Sequence, residues 1–328
     1  MNTRSPAFGI TALLVATTAW GGLFVVAQGA LRAVDPFWFT AIRYAIAGLA
    51  FAALIAPRGA APWRRLRRDA GALAWRGGLG FGVFSVMVLA GLAHSVPAHG
   101  AIIMATMPLT TQLLRWALDG VRPARSAWPI TLLALAGVAL ASGVLLPGGA
   151  DGEGARTWPG DLLALAGTLG WVAYTRGAAR FAELDVLEYT ALTVLASWPL
   201  LLAAALLATA LGLAHVPDAA ALQPAWPALL YVGLVASAVA VLAFNHGVRI
   251  LGGVGATAFL NFVPVSALLA GALLGRPPTA AELGGMALVV AALLLHTAVG
   301  ARAGARVVAA TPPFARPPVL RSNAPCHS

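Results

Sequence analysis

The sequence predicts an all-α polytopic membrane protein whose ten transmembrane helices form two inverted five-helix repeats. Three observations carry that expectation: composition, ten apolar stretches of spanning length, and an echo between the two halves. Of the 328 residues 60% are hydrophobic and only 10% charged, too apolar for a soluble globule to keep its surface wet. The single cysteine, Cys326, excludes an intrachain disulfide.

The first apolar stretch runs from Phe8 to Ala30 behind only M-N-T-R-S-P. It is longer than a signal-peptide core and leads straight into further spans, so it reads as an uncleaved first helix. A window of about 20 apolar residues, enough to cross about 30 Å of hydrocarbon, then finds Phe37–Ala56, Ala72–His94, Ala98–Leu118 and Ala127–Leu146. These five make a first repeat over 8–146. A Gly-rich acidic connector over 147–159, containing P-G-G-A-D-G-E-G-A-R, separates it from a second repeat over 160–299. That half holds Leu162–Ala179, Leu187–Leu213, Trp226–Ile250, Gly252–Gly275 and Ala280–Val299. Residues 300–328 turn to Ala, Arg and Pro, and read as a disordered cytoplasmic tail with no reason to pack.

The fourth span carries Pro108 near its middle, and 156 residues on the ninth span carries Pro264 at the matching place. Each proline removes a backbone hydrogen bond and predicts a bend that neighbouring helices absorb. The echo extends to V-D-P-F-W-F-T-A at Val34–Ala41 against L-D-V-L-E-Y-T-A at Leu184–Ala191, to Trp20 against Trp171, and to Gly77, Val83 and Gly91 against Gly233, Val239 and Gly247. Five crossings reverse the starting side, so the second copy runs upside down, the plan of an alternating-access carrier.

Arginine placement tests this topology independently. The chain has 21 Lys+Arg against 11 Asp+Glu, and every one of the 21 is arginine. With the N-terminus inside, 17 fall on the cytoplasmic side, including the cluster Arg58, Arg64, Arg65, Arg67, Arg68 and Arg76; only Arg32, Arg156 and Arg276 fall outside, and Arg43 lies within a span. The location expected for the chain is a cell membrane of the bacterial inner-membrane type, and the arginine bias predicts both termini cytoplasmic. It accounts for the basic excess without nucleic acid as a partner. The segment P-W-R-R-L-R-R-D also suits anionic headgroups, with Trp63 and Leu66 at the interface.

Ten spans in two five-helix repeats, an early Trp20-Gly21, Arg43 in the second span and the repeated proline-centred span together resemble the EamA-type permeases of the drug/metabolite transporter superfamily. The likeness covers Phe8 to Val299. It implies a carrier that moves small metabolites, often amino acids or related compounds and often outward, through a cavity between the repeats. Many relatives place a glutamate just after the fourth and ninth spans, where this chain has Val121 and Arg276.

Polar groups at apolar depth are costly unless they meet a partner, water or solute, which makes them the site candidates. Thr17, Gly21, Phe24 and Gln28 form a stripe of the first span with Trp20 beside it, and Gly167, Trp171 and Tyr174 form one of the sixth. The eighth span offers Asn245 and the ninth Asn261, and amide and hydroxyl groups among aromatics suit a small organic solute. Arg43, the fixed charge near mid-span, either binds a substrate carboxylate or ties helices together through backbone carbonyls. His246 is the candidate for proton coupling, because membrane-buried acids are not expected. Gly78/Gly82 and Gly271/Gly275 read as intramolecular packing first and a homodimer contact second.

Three function classes follow. A secondary carrier fits the inverted repeat and the lack of a G-x-x-x-x-G-K-[ST] loop. An intramembrane enzyme needs a catalytic dyad or metal cluster, and the sequence offers no paired acids or H-E-x-x-H at depth, so no catalytic residue, metal or cofactor is expected. A structural or sensory protein is the remaining class, and ten spans without a soluble domain argue against it.

Overall fold

The structure is a computed structural model that describes residues 5–95, 99–100, 103–104, 107–123, 125–141, 153–275 and 278–310. Among these residues the chain forms ten helices and no strand. Helix α1 (Pro6–Ala30) starts where Ser5 accepts a bond from the Phe8 N–H, and α2 (Pro36–Ile55) where Asp35 accepts from Phe37 and Trp38. Helix α3 spans Ala61–Ala93 and contains a π-helical turn at Gly78–Val83. Then come α4 (Met107–Asp119), α5 (Ala127–Ala141) and α6 (Glu153–Gly177). Helix α7 (Val186–Ala210) is capped by Asp185, and α8 (Ala219–Gly253) contains a second π-helical stretch at Tyr231–Val239. A 3-10 turn at Phe259–Phe262 introduces α9 (Val263–Leu273), and α10 is Ala280–Ala310.

By length and composition α1, α2, α3, α7 and α8 can each cross a membrane, and α5, α9 and α10 carry shorter apolar segments. Three boundaries differ from the sequence reading. Helix α3 begins at Ala61 rather than Ala72, so Arg64, Arg65, Arg67, Arg68 and Arg76 lie on the amphipathic first half of a continuous 33-residue helix and not in a loop, with Arg58 in the 3-10 turn before it. Helix α6 takes in Glu153–Pro159 of the expected connector, and α10 continues to Ala310, past the expected start of the tail. Residues 311–328 and 142–152 lie outside the described set.

Helix pairing follows one scheme. Helix α1 packs on α8 and α9, while α6 packs on α3 and α4. Helix α2 packs on α8, while α7 packs on α3; α2 meets α7, and α5 meets α10. Exchanging the first five helices for the last five leaves this set of partners unchanged. The two π-helical stretches also sit in the counterparts α3 and α8.

Close approach rests on small residues, as packing within lipid requires. A Cβ added at Gly91 of α3 would meet the Gly160 carbonyl and Ala164 of α6, and one added at Gly247 of α8 would meet Leu13 of α1. Gly78 and Gly82 lie against Leu200 and Leu201 of α7, an intramolecular contact. Gly275 is not a packing residue: with φ 86° it leaves the helix just past α9, a conformation natural to glycine.

Helices α2 and α7 are antiparallel. Arg58, beyond the α2 C-terminus, pairs with Asp185 at the α7 N-terminus, and near their other ends Trp38 Nε1 donates to Thr209 Oγ1 at 2.9 Å. The end marked by Arg58 also holds the Arg65–Glu188 and Arg176–Asp119 pairs and the bond from Arg249 to the Leu184 carbonyl. This is the arginine end. The opposite end holds the His99–Asp161 pair and the bond from the His215 N–H to Asp35.

Candidate functional site

At the centre of the exchange scheme, Trp20 of α1 and Trp171 of α6 meet edge to face, their ring centroids 5.3 Å apart at 86°. Phe244 of α8 packs against both at 5.2 and 5.6 Å, and Phe84 of α3 lies 5.3 Å from Trp171. The π-helical stretch of α8 positions Trp20: its Nε1 donates to the Ala236 carbonyl at 2.9 Å, and Tyr231 Oη returns a bond to the Ala19 carbonyl at 3.0 Å. A widened turn leaves backbone carbonyls free for such partners. Among the described residues Trp171 has no such bond, and its buried Nε1 meets no acceptor.

These rings wall a cavity of about 30 Å³, whose lining also includes Arg43, Tyr44, Ser85 and Met104. Arg43 is only 4% exposed. Its Nη2 donates to Ser85 Oγ and, at 3.4 Å, to Tyr44 Oη, and its guanidinium lies 4.7 Å from the Tyr44 ring centroid. Its Nε meets no acceptor among the described residues. Burying a guanidinium on hydroxyls and a ring leaves its charge uncompensated.

A larger vestibule of about 860 Å³ lies toward the arginine end among α4, α6, α7 and α8. Arg115, Arg176, Arg180 and Arg249 line it, with Asp119, Thr175, Tyr189 and Asn245. Helix α6 faces both spaces, since Trp171 lines the cavity while Val172, Thr175 and Arg176 line the vestibule. Between them Asn245 Nδ2 donates to Tyr174 Oη and to Thr190 Oγ1, both at 2.8 Å, and Tyr174 packs on Phe81 at 4.7 Å. Beside the vestibule, partial desolvation works against ionisation of the Asp185 carboxyl. The Glu188 N–H, Arg58 and the Leu187 N–H outweigh it and hold that carboxyl below its ordinary value.

The structure therefore brings Trp20, Arg43 and Trp171 together around one cavity, and joins Tyr174 to Asn245 beside it. Gln28 is half-buried and lines neither space, lying one helical turn beyond Phe24, which does line the cavity. Asn261 and Pro108 have side chains outside the described set. Pro264 falls in the first turn of α9, where a missing N–H costs no helical bond, so the helix breaks at the preceding 3-10 turn instead of bending at mid-span. His246 is half-buried and meets the Phe8 ring edge-on at 6.0 Å, away from both spaces.

One expectation needs correcting. Arg43 is held by hydroxyls of Ser85 and Tyr44, not by backbone carbonyls. The acids that are buried, Glu188 at 4% and Glu282 at 5% exposure, sit in the first turns of α7 and α10. Glu188 takes both its bonds from Arg65, at 2.6 and 2.7 Å, a pairing across 123 residues that no local spacing reveals. Glu282 forms a capping box with Thr279, which the T-x-x-E spacing before an apolar run does announce. Sequence reasoning also passed over Ser85, and over Ser95, His99 and Asp161, which converge with His99 Nδ1 3.0 Å from Asp161 Oδ2.

The model of the EamA-like transporter family matches twice, over residues 7–143 and 158–298. The chain belongs to the EamA-like transporter family. It is 29% identical over 296 residues to the uncharacterized transporter YrdR of Bacillus subtilis (strain 168), covering 88% of this chain and 90% of that one. A solved crystal structure shares the fold, with a TM-score of 0.65 and 24% identity over 89% of this chain and 98% of the other. This family member is thus a multi-pass membrane transporter of small solutes. Val121, where many relatives carry a glutamate, is exposed just past the end of α4.

Proposed function

We propose that this EamA-like transporter is a secondary carrier that exports a small metabolite across the cell membrane by alternating access. Ten spans in two inverted repeats, over 8–146 and 160–299, rock about a central site formed by Trp20, Arg43 and Trp171, with Tyr174 and Asn245 beside it. The observation that carries this reading is the exchange of partners: α1 sits on α8 and α9 as α6 sits on α3 and α4, with Trp20 and Trp171 in contact where the two assemblies meet. Equivalent but opposed halves around one site can interchange their arrangements, which is what moving a solute between two sides demands.

The arginine end faces the cytoplasm in this reading, in keeping with the positive-inside bias. The vestibule then opens inward, and a solute entering it passes the Tyr174–Asn245 layer to reach the tryptophans. Reconstituted vesicles loaded with a cell-metabolite mixture test the proposal. Purified protein should drive saturable loss of a subset of solutes, and Trp20→Ala or Trp171→Ala should slow that loss about tenfold or more, equivalent to about 1.4 kcal/mol. Absence of protein-dependent flux for every component, with the protein folded, overturns it.

A further inference from the structure

We infer that the central cavity takes the carboxylate of a net-anionic organic solute, with Arg43 as its counter-ion, in preference to a zwitterion or a neutral molecule. The inference rests on the carrier reading and adds the charge class of its solute. Among the described residues Arg43, buried in α2, meets only hydroxyl and ring partners, while the ion pairs Arg58–Asp185, Arg65–Glu188, Arg68–Asp69, Arg176–Asp119 and His99–Asp161 join residues outside the cavity. No acidic residue occurs in the sequence between Asp35 and Asp69, Asp69 and Asp119, Asp161 and Glu183, or Asp218 and Glu282. The helices that wall the cavity thus carry no acid at its depth. A charge kept at such cost in an apolar interior calls for a partner, and only a ligand can bring one.

Two further observations point the same way. Among the described residues Arg43 Nε and Trp171 Nε1 are both buried donors that meet no acceptor, and both side chains line the same cavity. Its volume of about 30 Å³ suits a two-oxygen head group and not a whole solute, and its other walls, among them Trp20, Phe84 and Met104, are apolar and offer a second charged group no partner. The route in is also cationic. Four arginines line the vestibule, and its one carboxylate, Asp119, is already taken by Arg176. Such a field concentrates anions at the entrance and repels cations. An ammonium carried in with the carboxylate would meet no acid, which disfavours amino acids.

Calorimetric titration of the purified full-length protein with 3-phenylpropanoate, 3-phenylpropanamide and phenylalanine tests this. These probes share a body and differ in head-group charge. The carboxylate should bind at least about tenfold more tightly than either of the others, as loss of a charge-assisted bond implies. Arg43→Gln should erase the preference and Arg43→Lys should restore most of it, which separates loss of charge from loss of fold. Equal or tighter binding of phenylalanine or the amide overturns the inference, as does a preference that survives Arg43→Gln, or no binding of any probe to the wild type. Each of those results leaves metabolite flux in vesicles intact; only loss of that flux overturns the carrier reading as well.

Discussion

The α3/α6 crossing and the α8/α1 crossing are built in the same register with different materials. Gly91 and His94 of α3 meet Gly160 and Ala164 of α6, and at positions 156 residues on, Gly247 and Ile250 of α8 meet Gly9 and Leu13 of α1. Gly9 and Leu13 precede Gly160 and Ala164 by 151 residues, the separation of Trp20 from Trp171. In the first crossing backbone lies against backbone; in the second, Gly247 lies against a leucine side chain. The halves have kept the spacing of helices while exchanging what fills it. One crossing is therefore rigid, and the other has a side chain that can yield.

The largest effect should come from testing that rigidity. Gly91→Ala drives a methyl into the Gly160 carbonyl, and Gly247→Ala drives one into Leu13, which can turn aside. The gain in helix propensity, about 1 kcal/mol, is common to both and cancels. Overpacking should then cost about 3 kcal/mol at Gly91 and about 1 kcal/mol at Gly247. Thermal unfolding of the two variants in detergent reads the difference, and equal costs would mean that the crossings are mechanically alike.

A smaller effect should separate the two tryptophans. Trp20→Phe removes the bond to Ala236 and leaves a buried carbonyl without its donor, a loss of about 1–2 kcal/mol. Trp171→Phe removes an N–H that has no acceptor, so stability should change little or rise. A comparable loss in both would sink the view that the halves occupy different hydrogen-bonding states around the cavity.

The contrast also marks what a sequence can carry. Apolar length, the matched segments at Val34–Ala41 and Leu184–Ala191 and the Trp20/Trp171 pair were legible because each is local or recurs at a fixed offset. The meeting of Trp20 and Trp171 could be expected from an inverted repeat once the pairing of first and sixth spans is assumed. The π-helical turns were not legible, since nothing in G-L-G-F-G-V or Y-V-G-L-V-A-S-A-V departs from an ordinary apolar helix. Nor were the Arg65–Glu188 and His99–Asp161 pairs, whose members come from helices far apart in the chain. Gln28 failed for a different reason: it shares its stripe with Phe24, which lines the cavity, but lies a further turn along α1, and a stripe fixes the face of a helix and not the depth.

The smallest effect should lie in the matched caps, because there the halves differ only in who shares the second carboxylate oxygen. Asp35 caps α2 through the Phe37 and Trp38 N–H groups and accepts a further bond from the His215 backbone at 3.2 Å. Asp185 caps α7 through the Glu188 N–H at 2.9 Å and pairs with Arg58, whose side chain is 37% exposed. Asparagine keeps the capping oxygen and replaces the other with a donor, so it removes the His215 bond in one half and the Arg58 pair in the other. Asp35→Asn should cost about 1 kcal/mol, and Asp185→Asn about 0.5 kcal/mol or less, as for other exposed pairs. The second cost should also depend on pH. The Asp185 carboxyl is held below its ordinary value of about 3.9, so the stability it adds is complete above that value and is lost as pH falls through the lower folded-state value. The melting-temperature gap between wild type and Asp185→Asn should accordingly stay constant from about pH 5 to 8 and close below about pH 4. A gap that persists unchanged at the acid end would assign the effect to the cap's geometry, and the two halves would then not differ at this position.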